Sequence, residues 1–193
     1  MAEPQEKDGR RQRSTRSRRR IIEAVFALLR EGDMHPSAGA IATRADVGLR
    51  TVFRHFEDID SIHREMTDEM LSDILPRLSA PLAATEWRDQ IRELAERNSA
   101  IYEEIFPIKL SLGLRRFQSV YLAEQYQRDV ELLRSGLHAL LPAEIKADRA
   151  RAAALELCLS FEAWRRLRQD QDLSVFDARN TLNTLLNPLL NDE

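Results

Sequence analysis

Apolar residues recur along this chain at three- and four-residue spacing almost from end to end, the period of an amphipathic helix and not of a strand. No alternating Val/Ile/Thr run interrupts the pattern, and proline and glycine are scarce, so an all-α fold without a sheet is expected. The first helix should run from Ser17 to Arg30, with Ile21, Ile22, Val25, Phe26 and Leu29 on one stripe and Gly32 at its end. Pro36 and Ser37 open a second, short helix, Ser37 serving as N-cap and Ala38, Ile41, Ala42 and Ala45 allowing close packing. It stops at Asp46, Val47 and Gly48. A third helix over residues 49–55 follows, with Val52 and Phe56 turned inward and Leu49, Arg50, Phe53 and Arg54 left facing out.

The pattern continues through a larger helical region. A fourth helix over 59–75 runs into Pro76, a fifth in "TEWRDQIRELAERNSAIYEEIF" is stopped by Pro107, and a long helix over about 117–140 precedes Pro142. The penultimate helix, over 143–168, is apolar on two faces roughly 160° apart at about 100° per residue. One stripe holds Ala150, Ala153, Ala154, Leu157, Cys158, Phe161 and Trp164, and the other Ala152, Leu155, Leu159, Ala163 and Leu167. The first stripe is expected to pack into its own domain. The second, at Leu155, Leu159, Ala163 and Leu167, is joined by Val175, Ala178, Leu182, Leu185 and Leu186 of the last helix and is expected to meet a second copy in a two-fold four-helix interface. A helix buried centrally in a monomer is the other arrangement that this pattern allows.

Charge divides what hydropathy unites. The net charge of −3 is +3 over residues 1–64 and −6 over the remainder. The positive part is concentrated in "GRRQRSTRSRRR", where no acid separates the arginines, so residues 1–16 are expected to form a disordered, solvated basic arm that orders on phosphates or in a minor groove. Arg16, Arg18, Arg19 and Arg20 are its expected DNA contacts.

A short helix, a tight turn and another short helix make a helix-turn-helix, whose second helix fits the major groove. On periodicity alone a structural helical hairpin fits equally well. An outward Leu and Phe beside two arginines is odd for a merely solvated face.

Other chemistry is sparse. The four histidines, at 35, 55, 63 and 138, have no His or carboxylate at i+4 and no cysteine pair, and there is no Gly-rich phosphate loop or nucleophile elbow. No catalytic residue, metal or cofactor is expected, and the chain is not expected to be an enzyme. Cys158, the single cysteine, reads as a buried inert thiol. No stretch approaches the roughly 18 apolar residues of a membrane span, and no signal segment is visible, so a cytoplasmic protein without a membrane partner is expected.

The succession "IIEAVFALLREG", "SAGAIATRADVG", "LRTVFRHFEDIDSI" resembles the N-terminal domain of the tetracycline-repressor-like (TetR) family of bacterial transcriptional regulators. Thr51, Phe53, His55 and Phe56 fall on that family's Thr, aromatic, His and Phe positions, and "SFEAWRRLRQDQDLS" resembles the penultimate helix of some actinobacterial members. The resemblance implies a homeodomain-like DNA-binding unit over 17–63 and a ligand-binding and dimerisation domain over 64–193. Three positions depart from it: Phe53 stands where Tyr is usual, Ile59 where Lys is usual, and Gly48 where Ser is frequent. The first two remove phosphate donors. The third removes a helix cap worth on the order of 0.5 to 2 kcal/mol relative to alanine but only tenths relative to glycine.

Combined with side-chain chemistry, the resemblance assigns roles. Arg50 has the fork that pairs with guanine O6 and N7, and Leu49 suits a thymine methyl. Thr51, His55 and Ser37 suit phosphate oxygens, Arg54 adds charge, and Gly48 and Phe53 lie against the same surface. Met66, Met70, Tyr102, Phe106, Leu110, Phe117, Tyr121 and Phe161 are expected to line an apolar effector pocket. The expected function is a homodimeric regulator of transcription, a repressor released from a palindromic double-stranded DNA operator by a small apolar effector. The alternative is a helical ligand- or partner-binding dimer whose DNA-binding head has weakened, as Phe53 and Ile59 suggest.

Overall fold

Helix is the only regular element among the described residues of the computed structural model, which describes residues 4–191. Helix α1 (Pro4–Arg30) starts well before Ser17, so from Pro4 onward the basic segment is helix and not a separate arm. The physical reason is legible in hindsight: proline suits the first helical position, and Gln5, Glu6, Lys7 and the arginines are good helix formers with no breaker after Pro4 except Gly9. The end of α1 is as the sequence specifies. Gly32 takes φ +96°, its N–H bonds the Leu29 carbonyl at 3.1 Å, and the Asp33 N–H reaches back to Leu28 at 3.0 Å, closing a Schellman motif.

Helices α2 (Ala38–Arg44) and α3 (Leu49–His55) follow, and α4 (Ile59–Leu78), α5 (Trp87–Arg115) and α6 (Val120–Leu140) are long. Neither proline ends its helix as expected. Pro76 lies within α4 and Pro107 within α5. A mid-helix proline costs about 3 kcal/mol in isolation; around Pro107 the buried Ile101, Ile105 and Ile108 give α5 enough packing to continue through it.

The single penultimate helix expected over 143–168 is instead α7 (Ala143–Ala147), α8 (Arg149–Cys158), α9 (Phe161–Arg165) and one π-helical turn at Arg166–Asp170, before α10 (Val175–Leu190). Side-chain caps cause the breaks. Asp148 accepts the N–H groups of Ala150 and Arg151 at 3.1 and 3.0 Å, and Ser160 accepts that of Ala163 at 3.1 Å. Each break changes the helical phase, so stripes drawn at a constant angle across 143–168 do not describe one face.

The chain forms two compact units. One comprises Met1–Asp73 with Pro107–Glu124, the other Ile74–Phe106 with Gln125–Glu193, so the units do not divide at residue 64. In the first, Ile21, Ile22, Val25, Leu29, Ile41, Val52, Phe56, Ile62 and Met66 are buried, and Ser111 donates to the Met34 carbonyl at 2.9 Å, fixing the α5 end to the α1–α2 loop. In the second, Ile91, Leu137, Leu141, Ile145, Leu155, Leu159, Leu186 and Leu190 make one core and Tyr102, Phe161, Trp164, Leu167, Ala178 and Leu182 another. Arg88 and Arg151 donate to the Leu190 and Leu189 carbonyls at 2.5 and 2.7 Å, satisfying the last turn of α10.

His63 of the first unit makes stability depend on pH. It is buried, its Nδ1 pairs with the Ile59 carbonyl at 2.8 Å, and its Nε2 has no partner. Burial first, then Arg115 and His35, hold its pKa below the ordinary 6.5, against the Ile59 bond and Asp60. An imidazole that resists protonation when folded but accepts a proton when unfolded removes stability as pH falls below about 6.5. Thermal unfolding from pH 7.5 to 5 should show this loss, and His63→Leu should flatten it; an equally steep acid limb in the variant would assign the dependence elsewhere.

Candidate nucleic-acid interface

The turn between α2 and α3 decides which face of α3 meets solvent. The Val47 N–H bonds the Ala42 carbonyl at 3.0 Å and the Asp46 N–H that of Thr43 at 3.2 Å, again a Schellman closure. The left-handed residue here is Asp46, at φ +50°, and not Gly48, whose φ of −68° any residue adopts. Ser37 caps α2, accepting the Ala40 N–H at 3.1 Å. Gly48 caps α3 with no side-chain bond.

α3 occupies the expected range, and its two faces separate cleanly. Val52 and the following Phe56 are buried, each 1% exposed, whereas Leu49 is 47% and Phe53 53% exposed and Arg50 and Arg54 are exposed beside them. Thr51 is half-buried. One face thus presents two apolar side chains beside two guanidinium groups, on a helix held by its other face. Ser37 and Gly48 are also exposed.

His55 is half-buried. Its Nε2 is buried and unpartnered. Burial, then Arg54 and Arg18, depress its pKa below 6.5, with Glu65 opposing.

Three of the four expected DNA-arm arginines are engaged within the first unit. Arg18 Nε donates to both Glu65 oxygens at 2.9 and 2.6 Å, its Nη2 pairs with the same carboxylate, and its Nη1 donates to the His55 carbonyl at 2.6 Å. The Arg18 guanidinium also stacks 4.4 Å from the Phe56 ring centre. Arg19 pairs with Glu23 at 2.8 Å and Arg20 with Asp46 at 2.9 Å; Arg16 is exposed. Sequence reasoning missed Glu65 and Asp46 as their partners. The residues lie 47 and 26 positions apart, and no local spacing signals such pairs.

The expected pocket residues fall in different units. Met66, Met70, Leu110, Phe117 and Tyr121 belong to the first, and Tyr102, Phe106 and Phe161 to the second. Phe117 is 81% exposed, so it lines no interior wall, and the Arg64 guanidinium lies 4.8 Å from the Tyr121 ring centre. In the second unit Phe161 packs against Tyr102 and Phe106 at 5.6 and 5.4 Å. The Tyr102 hydroxyl already donates to the Leu159 carbonyl at 3.0 Å, and burial raises its pKa above the ordinary tyrosine value.

Apart from Ala163, the second apolar stripe of the penultimate region is buried, together with Phe161 and Trp164 of the first. Leu155, Leu159 and Leu167, expected between subunits, are buried within the subunit's own core, as are Leu182 and Leu186 of α10. Side chains with almost no exposed surface have none to bury against a partner. Ala163 and Val175 are half-buried and Leu185 is 49% exposed. On α8 the open apolar face is the other one, with Ala150 and Ala153 exposed and Leu157 63% exposed.

No protein-family profile matches this chain. No curated protein matches it either. Two solved structures share its fold. A transcriptional regulator from Rhodococcus sp. Rha1 aligns with a TM-score of 0.68 at 18% identity, covering 92% of this chain and 95% of its own. A TetR-like transcriptional regulator from Rhodococcus sp. RHA1 aligns with a TM-score of 0.66 at 17% identity, covering 88% and 93%. The chain therefore has the all-α fold of TetR-like transcriptional regulators.

Proposed function

We propose that this chain, built on the fold of TetR-like transcriptional regulators, binds an operator in double-stranded DNA through α3 and represses transcription. The observation that carries the reading is the exposed quartet Leu49, Arg50, Phe53 and Arg54 on a helix anchored by buried Val52 and Phe56. Arg50 reads guanine by a bidentate bond, Leu49 packs on a thymine methyl, and Thr51, Arg54 and Ser37 serve the phosphates. Titrating the protein into duplex DNA at rising salt tests it. A regulator shows log affinity falling linearly with log salt, with a slope of about −0.9 per phosphate contact. A flat response would favour a dimer with a weakened head, the reading that Phe53 and Ile59 support.

Two-fold operators need two recognition helices about 34 Å apart, and hence a homodimer. We place its interface on the open face of α8, at Ala150, Ala153 and Leu157, with Leu185 of α10 as a flanking contact. Leu157→Glu is expected to give a monomer in sedimentation with unchanged helical content. A variant that remains dimeric would move the interface elsewhere.

Effector control is the finer part of the reading. We assign the sensing of a small, mostly apolar molecule to the aromatic group of Tyr102, Phe106 and Phe161. Phe106→Ala should blunt effector-driven release of DNA while ligand-free binding survives. Loss of DNA binding together with stability would make Phe106 simply core.

A further inference from the structure

The Arg18 side chain engages three groups at once. Its Nε and Nη2 hold the Glu65 carboxylate of α4, its Nη1 holds the His55 carbonyl at the C-terminal end of α3, and its plane covers Phe56, the residue at which α3 stops. The His55 carbonyl belongs to the last turn of α3, where carbonyls have no helical partner and concentrate negative charge. A cation there satisfies an orphan acceptor. The planar fork of arginine bonds a carboxylate and a carbonyl in different directions while its face stacks on an aromatic ring, which the ammonium of lysine cannot do.

The same geometry argues against a phosphate contact. Glu65 neutralises the guanidinium and would repel a phosphate brought to it. Arg50 and Arg54, in contrast, are exposed on α3, without this arrangement.

We infer that Arg18 is a positioning residue for DNA recognition: held by Glu65, its guanidinium tethers the C-terminal end of α3 and thereby sets the presentation of Arg50 and Leu49. The inference rests on the proposal that α3 reads DNA.

The test compares Arg18→Gln, Glu65→Gln and Arg18→Lys in the full chain, each checked for folding by circular dichroism, with two readouts. In the free protein, hydrogen exchange over residues 49–56 should rise in Arg18→Gln and in Glu65→Gln alike, and Arg18→Lys should not restore it. On a duplex bound by the wild type, each Gln variant should weaken affinity by about tenfold, the double variant by no more than either single one, and the salt slope should stay unchanged. Three results would overturn the tether: exchange that does not change, a salt slope that falls by about 1 per lost contact with rescue by lysine, or tighter binding in Glu65→Gln as an acid is removed from near the DNA. A wild-type protein that binds no duplex would refute the DNA-binding reading instead, and the exchange data would still decide whether the tether exists.

Discussion

Trp164→Ala is expected to destabilise the second unit by about 3–5 kcal/mol, among the largest losses for any single truncation in the chain. Trp164 is 1% exposed and lies in the cluster formed by Tyr102, Phe161, Leu167, Ala178 and Leu182, so the substitution opens a cavity the size of an indole. It also removes a polar tie. The indole N–H donates to Glu103 Oε1 at 2.8 Å, and Arg168 Nε meets the same oxygen at 2.8 Å while its Nη1 bonds the Leu173 carbonyl. This shared carboxylate fastens α9 and the π-helical turn to α5. Trp164→Phe keeps most of the volume and loses the donor, so it should cost less, about 1–2 kcal/mol. Denaturant midpoints of both variants check the pair. A loss under 1 kcal/mol for Trp164→Ala would mean that the cluster repacks and the tie carries little.

Arg50→Ala is expected to have the largest effect on recognition. If its fork reads guanine, truncation costs about 1–3 kcal/mol per lost bidentate contact, and both half-sites of a two-fold operator lose one. The loss is selective. Base preference should relax at one symmetric pair of positions and persist at the others, whereas Arg54→Ala should weaken all duplexes similarly and reduce the salt slope. Relative affinities across an operator library with single-base changes measure both. A uniform weakening by Arg50→Ala would reassign it to the phosphates.

The first unit was legible in the sequence wherever the signals are local. Ser37 and Gly32 are caps whose effect spans a few residues, and the alternation of Val52 and Phe56 with Leu49, Arg50 and Phe53 marks both faces of α3. Signals that act at a distance were not legible. Arg18 reads as one more arginine in a basic run until Glu65, 47 residues away, is brought beside it. The left-handed residue of the α2–α3 turn is Asp46, whose side chain also meets Arg20, although a glycine stood two positions on.

The penultimate region failed for a different reason. Asp148 and Ser160 are good N-cap residues, but an uninterrupted apolar pattern outweighed them, and a helical wheel drawn across a break joins residues of different helices into one stripe: Phe161 and Trp164 are buried as expected, whereas Leu157 of the same stripe is exposed. Leu157 and Leu155 consequently exchanged places between surface and core. Pro107 misled in the opposite sense, because the packing of α5 around it exceeds what one proline costs.

Selecting random duplexes with the purified full-length protein and sequencing the retained pool tests the central claim most directly. The account predicts an enriched two-fold symmetric motif with half-sites about one helical turn apart, each specifying a guanine that Arg50→Ala no longer selects. A pool retained without any enriched motif, or no retained DNA at moderate salt, would contradict it.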